Sequence, residues 1–254
     1  MNQPKKLRMN NTRLRPHLFF IIGIAFLSTG QAEDKLSRIA IDVGHSKSFP
    51  GTTSAHGTPE FEFNVALAHV IQQTLISSST HAFEIGADGH MIDLPKRTQA
   101  AQAAHATFFL SIHHDSAQPQ YLQTWIVNHS TQKYNTEFSG FSLFVSRKNP
   151  QIDHSLRCAS AIGAALKQYG FHPALHHAEP IPGESKEWAD QTNGVYFYDN
   201  LVVLKTATMP ALLLEAGVIV NPQEEEKLRK KTTQRSIAQA IKQGFLQCGV
   251  LASG

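Results

Sequence analysis

Three short apolar runs constrain this chain more than any other feature. They cover residues 38–43 (Arg-Ile-Ala-Ile-Asp-Val), 107–112 (Thr-Phe-Phe-Leu-Ser-Ile) and 211–214 (Ala-Leu-Leu-Leu). Each is too short for a buried helix and long enough for a buried strand. Segments of helical period lie between and after them. Phe63, Leu67, Val70, Ile71 and Leu75 share one face of a helix expected from about Glu60. Further helices are expected over 94–105 and over 155–169, the latter closed by Gly170. Pro222 opens another, and Thr232 or Thr233 caps a last one that runs to about Cys248. Residues 82–85, 141–145 and 202–204 read as additional strands. Strands separated by helices predict an α/β fold whose sheet is mainly parallel, with helices on both faces. Two polar, aromatic-bearing stretches, 115–140 and 172–200, break this rhythm. Such long loops in a compact domain usually border a cleft.

In an open parallel sheet, ligands bind beyond the carboxyl ends of the strands. The reactive side chains there are His45, which follows the first run through Gly44, His113, which follows the second, and Glu215, which follows the third. Glu60 begins the first helix, where the helix dipole favours a carboxylate. Two histidines, a carboxylate and an open position form a common catalytic zinc site. Zinc polarises a scissile carbonyl and acidifies water, and a further carboxylate can carry the water proton to the leaving nitrogen. On this reading His45, Glu60 and His113 are the metal ligands, Glu215 is the general base and acid, and Asp42 supports them from behind. The chain has 14 histidines, so the pattern alone does not separate a ligand from an ordinary surface or core histidine.

Ordered motifs add to this. Ile41-Asp42-Val43-Gly44-His45, Pro50-Gly51 and Gly57-Thr58-Pro59-Glu60 resemble the first motif of the zinc-dependent N-acetylmuramoyl-L-alanine amidases of the amidase 3 family. That motif sets its glutamate at the spacing seen between His45 and Glu60, and Asn64 and Ala68 match the helix behind it. Ser111-Ile112-His113 resembles the second motif. Met209-Pro210-Ala211-Leu212-Leu213-Leu214-Glu215, with Gly217 and Asn221, resembles the last, and Arg97 matches an arginine ahead of the central helix. The resemblance runs from about Ile39 to the C-terminal helix. It implies a three-layer α/β/α fold, phosphorylase/hydrolase-like, with one Zn²⁺ per chain. It also implies hydrolysis of the amide bond between N-acetylmuramic acid and L-alanine of the peptidoglycan stem peptide.

The match has local departures. Glu62 competes with Glu60 as ligand, but that register loses Asn64 and Ala68. His114 adjoins His113, and neighbouring side chains of a strand point oppositely, so only one faces the metal. The glycine-rich turn expected after the first histidine is Ser46-Lys47-Ser48-Phe49, and an Arg-x-x-Asp motif is missing around Gly86-Ala87-Asp88-Gly89. His176-His177-Ala178-Glu179 and Pro182-Gly183-Glu184 read as a polar loop rimming the cleft rather than as a second metal site. Tyr121, Trp125, Trp188, Tyr196 and Tyr198 either stack on sugars or pack the loops. Glu224, Glu225 and Glu226, followed by Lys227, Arg229 and Lys230, read as a solvated, charge-paired helix.

Residues 1–32 read as a signal peptide: five basic residues, the apolar run 18–27, then Gly30-Gln31-Ala32 before the cut. Residues 33–254 are then a single catalytic amidase domain. The whole chain has 23 Lys/Arg against 20 Asp/Glu; without the leader, 18 basic residues face 20 acidic ones. The basic balance is thus a targeting signal, and no nucleic-acid partner is expected. Export, with a short Ala-ended leader and no wall-binding module, points to the periplasm. Cys158 and Cys248 form no C-x-x-C pair. Cys248 lies in register with Ile237, Ile241 and Phe245, a stripe that favours two packed thiols over a disulfide.

Two rival readings stay open: a zinc peptidase acting within the stem peptide, and a catalytically silent wall-binding regulator on the same fold. H-E-x-x-H, G-x-S-x-G and P-loop motifs are missing. Some members of the resembled family are held inactive by a helix over the zinc and released by a protein activator. Residues 115–140 lie where such an insert would fall, yet do not read as a firm helix. A monomer is expected.

Overall fold

In the computed structural model, the described residues are 1–6, 8, 36–77 and 79–252. The expected leader falls largely outside them. Among the described residues no helix is long and apolar enough to cross a membrane.

The elements, in chain order, are β1 (Ser37–Val43), α1 (Glu60–Leu75), β2 (Thr80–Ile85), α2 (Leu94–Ala103), β3 (Phe108–Asp115), β4 (Gln123–Val127), β5 (Ser130–Tyr134), β6 (Ser142–Val145), α3 (Ile152–Gln168), β7 (Glu187–Asp190), β8 (Val195–Phe197), α4 (Val202–Thr206), β9 (Ala211–Val218), α5 (Pro222–Arg229) and α6 (Lys231–Gln247). Seven strands form one sheet in the order β2-β1-β3-β9-β6-β8-β7. β2, β1, β3 and β9 run parallel, as do β6 and β8, whereas β6 is antiparallel to β9 and β7 to β8. The sheet is therefore mainly parallel, as the sequence predicts, with a mixed half.

The central strands are apolar on both faces because helices cover both. Ile39, Ile41, Phe108, Leu110, Leu212 and Leu214 pack in the core shared with α1, α3 and α6. Ala40, Phe109, Ala211 and Leu213 face the other way, toward Ala101 of α2 and Val203 and Leu204 of α4. The strand alternation thus aims the next residues, Asp42, Ser111, His113 and Glu215, to the α2/α4 side.

Three local expectations are corrected. Residues 202–204 are helical rather than a strand, since a short apolar run does not reveal its own period. Val203 and Leu204 are buried against the sheet, and Asn149 Nδ2 donates to the Leu204 carbonyl at 3.0 Å. The last helix begins at Lys231 without a side-chain cap, so Thr232 and Thr233 lie inside its first turn. Only Lys230 separates it from α5, and Gln234 Nε2 bridges back to the Leu228 carbonyl at 3.1 Å.

The third concerns the cysteines. Cys158 of α3 and Cys248, just past α6, are disulfide-bonded, with Cα atoms 5.1 Å apart. The stripe carrying Cys248 was correctly read as buried, but the surface it packs on is the face of α3 that carries Cys158.

The two irregular stretches acquire structure of their own. Residues 115–140 hold a 3₁₀ turn, Pro119–Tyr121, and the β4–β5 hairpin. Residues 172–200 hold a 3₁₀ turn, His176–Ala178, and the antiparallel pair β7–β8.

Candidate functional site

The site forms where β1, β3 and β9 end. β1 stops at Val43, and Gly44 and His45 turn sharply over the sheet edge. His45 has a left-handed backbone (φ 68°), a conformation that costs a non-glycine residue energy and tends to persist where function demands it. Arg97, buried in α2, holds this turn. Its guanidinium donates to the carbonyls of Val43, His45 and Met91 and to Asp42 Oδ1. Asp42 in turn accepts from Ser111 Oγ at 2.7 Å. Asp42 therefore supports His45 through Arg97 and the backbone, without touching either histidine ring.

Glu60, 4 % exposed, is the centre of the cluster. His45 Nε2 lies 2.9 Å from its Oε2, and His113 Nδ1 lies 3.0 Å from its Oε1. Asn64, one turn along α1, donates to Glu60 Oε1 at 3.1 Å and to the Gly44 carbonyl at 3.2 Å. Glu62 is exposed, so the competing register is not realised. His114 turns to the opposite face of β3, as strand alternation requires. There its Nδ1 pairs with Asn64 Oδ1 at 2.8 Å, and burial pushes its pKa down to about 4. Burial also pushes Glu60 upward, but hydrogen bonds and charges from His113 and His45 outweigh it and hold the carboxyl well below the usual range.

Glu215 is the register partner of His113 across β3 and β9. It is half-buried, and its Oε2 has no hydrogen-bond partner. Burial raises its carboxyl well above the ordinary range, with further upward contributions from Asp115 and Glu60. Such a group holds a proton more readily than an ordinary carboxylate, as acid–base residues do.

The two histidines and Glu215 line one cavity of about 540 Å³, with Glu60 behind them and not in its lining. His45, His113, Glu215 and Arg97 form its floor, and Phe49, Ile92 and Leu94, all exposed, stand at its apolar side. His177, Glu184 and Tyr198 line it as well. The polar loop thus rims the cleft as expected, though His176 and His177 are buried rather than solvated. Of the five aromatics only Tyr198 lines the cavity. Trp188 stacks on buried Tyr196 at 3.9 Å, Trp125 packs on Tyr134, and Tyr121 meets Phe138 edge-on. Among the described residues, none from 116 to 140 lines the cavity.

The donor atoms of His45, Glu60 and His113 all lie within 4.8 Å of one another, an arrangement that could hold a metal ion. Two imidazoles and a carboxylate suit zinc, with room for a further ligand on the cavity side. Two glycines let the backbone pass close to these side chains. A Cβ on Gly44 would fall 2.3 Å from His113 Nε2, and one on Gly51 would fall 2.3 Å from Glu60 Oε2.

Sequence reasoning missed some anchors. Of the three glutamates read as solvated, Glu225 is fully buried and accepts from Ser54, the His56 backbone and Arg229. Glu224 accepts from the backbone amides of Gly140 and Val218. Both carboxylates brace loops around the site, a role to which helical charge spacing is blind.

The sequence profile of the N-acetylmuramoyl-L-alanine amidase family matches residues 39–247. A Buchnera aphidicola (subsp. Baizongia pistaciae) protein, provisionally named N-acetylmuramoyl-L-alanine amidase, is 28 % identical over 221 residues, covering 82 % of this chain and 96 % of that one. The solved N-acetylmuramyl-L-alanine amidase Ami1 of Mycobacterium smegmatis superimposes with a TM-score of 0.66 at 18 % identity, covering 85 % of this chain and 98 % of that one. The CwlD amidase of Clostridioides difficile, solved in complex with the GerS lipoprotein, gives 0.62 at 20 % identity, covering 84 % and 98 %.

Proposed function

We propose, from the premise that this chain belongs to the N-acetylmuramoyl-L-alanine amidase family, that it is a zinc-dependent hydrolase of peptidoglycan with His45, Glu60 and His113 as metal ligands and Glu215 as general base and acid. The bond cut joins the lactyl carbonyl of N-acetylmuramic acid to the amino nitrogen of L-alanine. A zinc ion in this site supplies a Lewis acid for the scissile carbonyl and acidifies the attacking water.

The chain's own residues do the rest. Glu60 is fixed by Asn64 and faces both histidines, so the three donors are arranged in advance. The Glu215 carboxylate takes the proton of the attacking water and passes it to the leaving nitrogen, releasing a stem peptide with a free amino end and a muramic carboxylate. The observation that carries this reading is the unpaired, cavity-lining Glu215 set beside His113 in strand register.

The localisation we propose is the periplasm, reached through a leader at residues 1–32, with 33–254 as the catalytic domain, acting as a monomer. The Cys158–Cys248 disulfide supports an oxidising compartment. The relative captured with a lipoprotein is the precedent for a protein activator here.

Solubilisation of purified peptidoglycan, before and after removal of metal with a chelator and after zinc is restored, tests the reading. Release that is lost and then recovered supports it; release indifferent to the chelator overturns zinc dependence.

A further inference from the structure

A second cluster of metal-type ligands, Asp115, His176 and His177, shares no residue with the first, and its His177 lines the same cavity. Asp115 ends β3 beyond a register irregularity that falls between His113 and Asp115. Its Oδ2 is 3.0 Å from His176 Nε2 and 2.9 Å from His177 Nε2. The same two spacings separate Glu60 from its two histidines in the first cluster. The three donor atoms again lie within 4.8 Å of one another.

Three features go beyond proximity. First, His176 is 4 % exposed, yet neither of its ring nitrogens has a hydrogen-bond partner, its approach to Asp115 included. A buried polar group left unpaired is costly and calls for an explanation such as an ion. Second, the Ser116 amide takes Oδ1 of Asp115 at 2.7 Å, so Oδ2, the oxygen that meets both histidine nitrogens, is the one presented to an ion. Third, His177 Nδ1 pairs with Glu184 Oε2 at 2.8 Å, and Gln118 fixes Glu184 at 2.7 Å. A carboxylate holding the far nitrogen of a histidine, so that the near one offers its lone pair, is the usual support behind a metal-ligating imidazole.

The rings are also held rigidly. His176 stacks on Phe138 at 4.8 Å, and His177 meets Phe144 edge-on at 5.0 Å. A proton on His177 would satisfy that ring alone and leave both nitrogens of His176 unpaired. An ion among the three donors engages His176 Nε2, His177 Nε2 and Asp115 Oδ2 together.

We propose that Asp115, His176 and His177, backed by Glu184, form a second site for a divalent first-row transition-metal ion, with zinc the fitting occupant. Two imidazoles and one carboxylate oxygen suit such ions and disfavour calcium or magnesium. The ion clips the 3₁₀ turn at 176–178 to the end of β3, fixing the wall that carries His177 and Glu184 into the cavity.

The test is zinc stoichiometry. The purified chain is stripped with a chelator, titrated with zinc, freed of loosely held ion by gel filtration and assayed by elemental analysis. Circular dichroism confirms folding. The expected result is two equivalents for the native chain, and one each for His176→Gln, Asp115→Asn and His45→Ala. Saturation of the native chain at one equivalent that His45→Ala abolishes and His176→Gln leaves intact would overturn the proposal and spare the catalytic zinc. One equivalent lost only in the His176→Gln and Asp115→Asn variants would support this site and remove the other.

Discussion

His113 on β3 and Glu215 on β9 are direct register partners on neighbouring parallel strands. Each is the last of an alternating set, Phe109-Ser111-His113 and Ala211-Leu213-Glu215, that faces the α2/α4 side. The geometry that sets the proposed ligand beside the proposed base is therefore inherited from the sheet itself, and a rigid strand is a more exact mount than a loop.

Glu215→Gln keeps the shape of the side chain and removes its basicity. Turnover should fall by about 10²–10⁴-fold, the usual scale of general acid–base catalysis, while zinc content stays at the native level. Kinetics and elemental analysis on the same preparation check this. Loss of the metal together with activity would make Glu215 a ligand instead.

The raised Glu215 carboxyl has a cost in stability. Its protonated form is favoured in the fold, so its stabilisation is complete below the unfolded value near 4.5 and is lost as pH rises through the elevated folded value. In the metal-free chain, Glu215→Gln should therefore melt higher than native protein at pH 7, by about 2–4 °C for each kcal/mol regained, and the gap should close toward pH 4. A constant gap across that range would refute the assignment of a raised carboxyl.

Asn64 ties Glu60, the Gly44 carbonyl and His114 into one buried network. Asn64→Ala should weaken zinc affinity by about 10–100-fold, as loss of such supporting partners does, and should destabilise the fold by about 1–3 kcal/mol. Competition against a chromogenic chelator gives the first quantity and urea unfolding the second. Unchanged affinity would mean that Glu60 does not depend on Asn64 for its position.

The Cys158–Cys248 bridge closes a separation of 90 residues. In the chain-entropy picture such a loop is worth about 4 kcal/mol, which for a domain of this size is about 10 °C in melting temperature. The paired Cys158→Ser and Cys248→Ser variant, or reduction of the native chain, should show that drop by scanning calorimetry. An unchanged melting temperature would argue against the bond in the folded protein.

Much of this architecture was legible in the sequence because it rests on local pattern. The apolar runs ending in His45, His113 and Glu215 announce buried parallel strands, and helical spacing after Glu60 announces α1. Strand alternation lets only one of His113 and His114 face the site, and the Ser111-Ile112-His113 motif selects His113. What was illegible depends on contacts distant in the chain. Nothing near Cys158 or Cys248 tells that α3 and α6 pack together, and nothing near Glu225 tells that Ser54 and His56 will reach it. His176 and His177 read as loop polarity because their counterpart, Asp115, lies more than 60 residues earlier. The short helix at 202–206 was misread because so few apolar residues do not fix a period.

The most direct test is mass spectrometry of the soluble products after the purified chain has acted on peptidoglycan, with and without a zinc chelator. The account predicts free stem peptides that begin with an unblocked L-alanine, together with intact muramic acid carboxylates, and their disappearance on chelation. Fragments cut within the stem peptide, with L-alanine still joined to muramic acid, would contradict it and make the chain a peptidase.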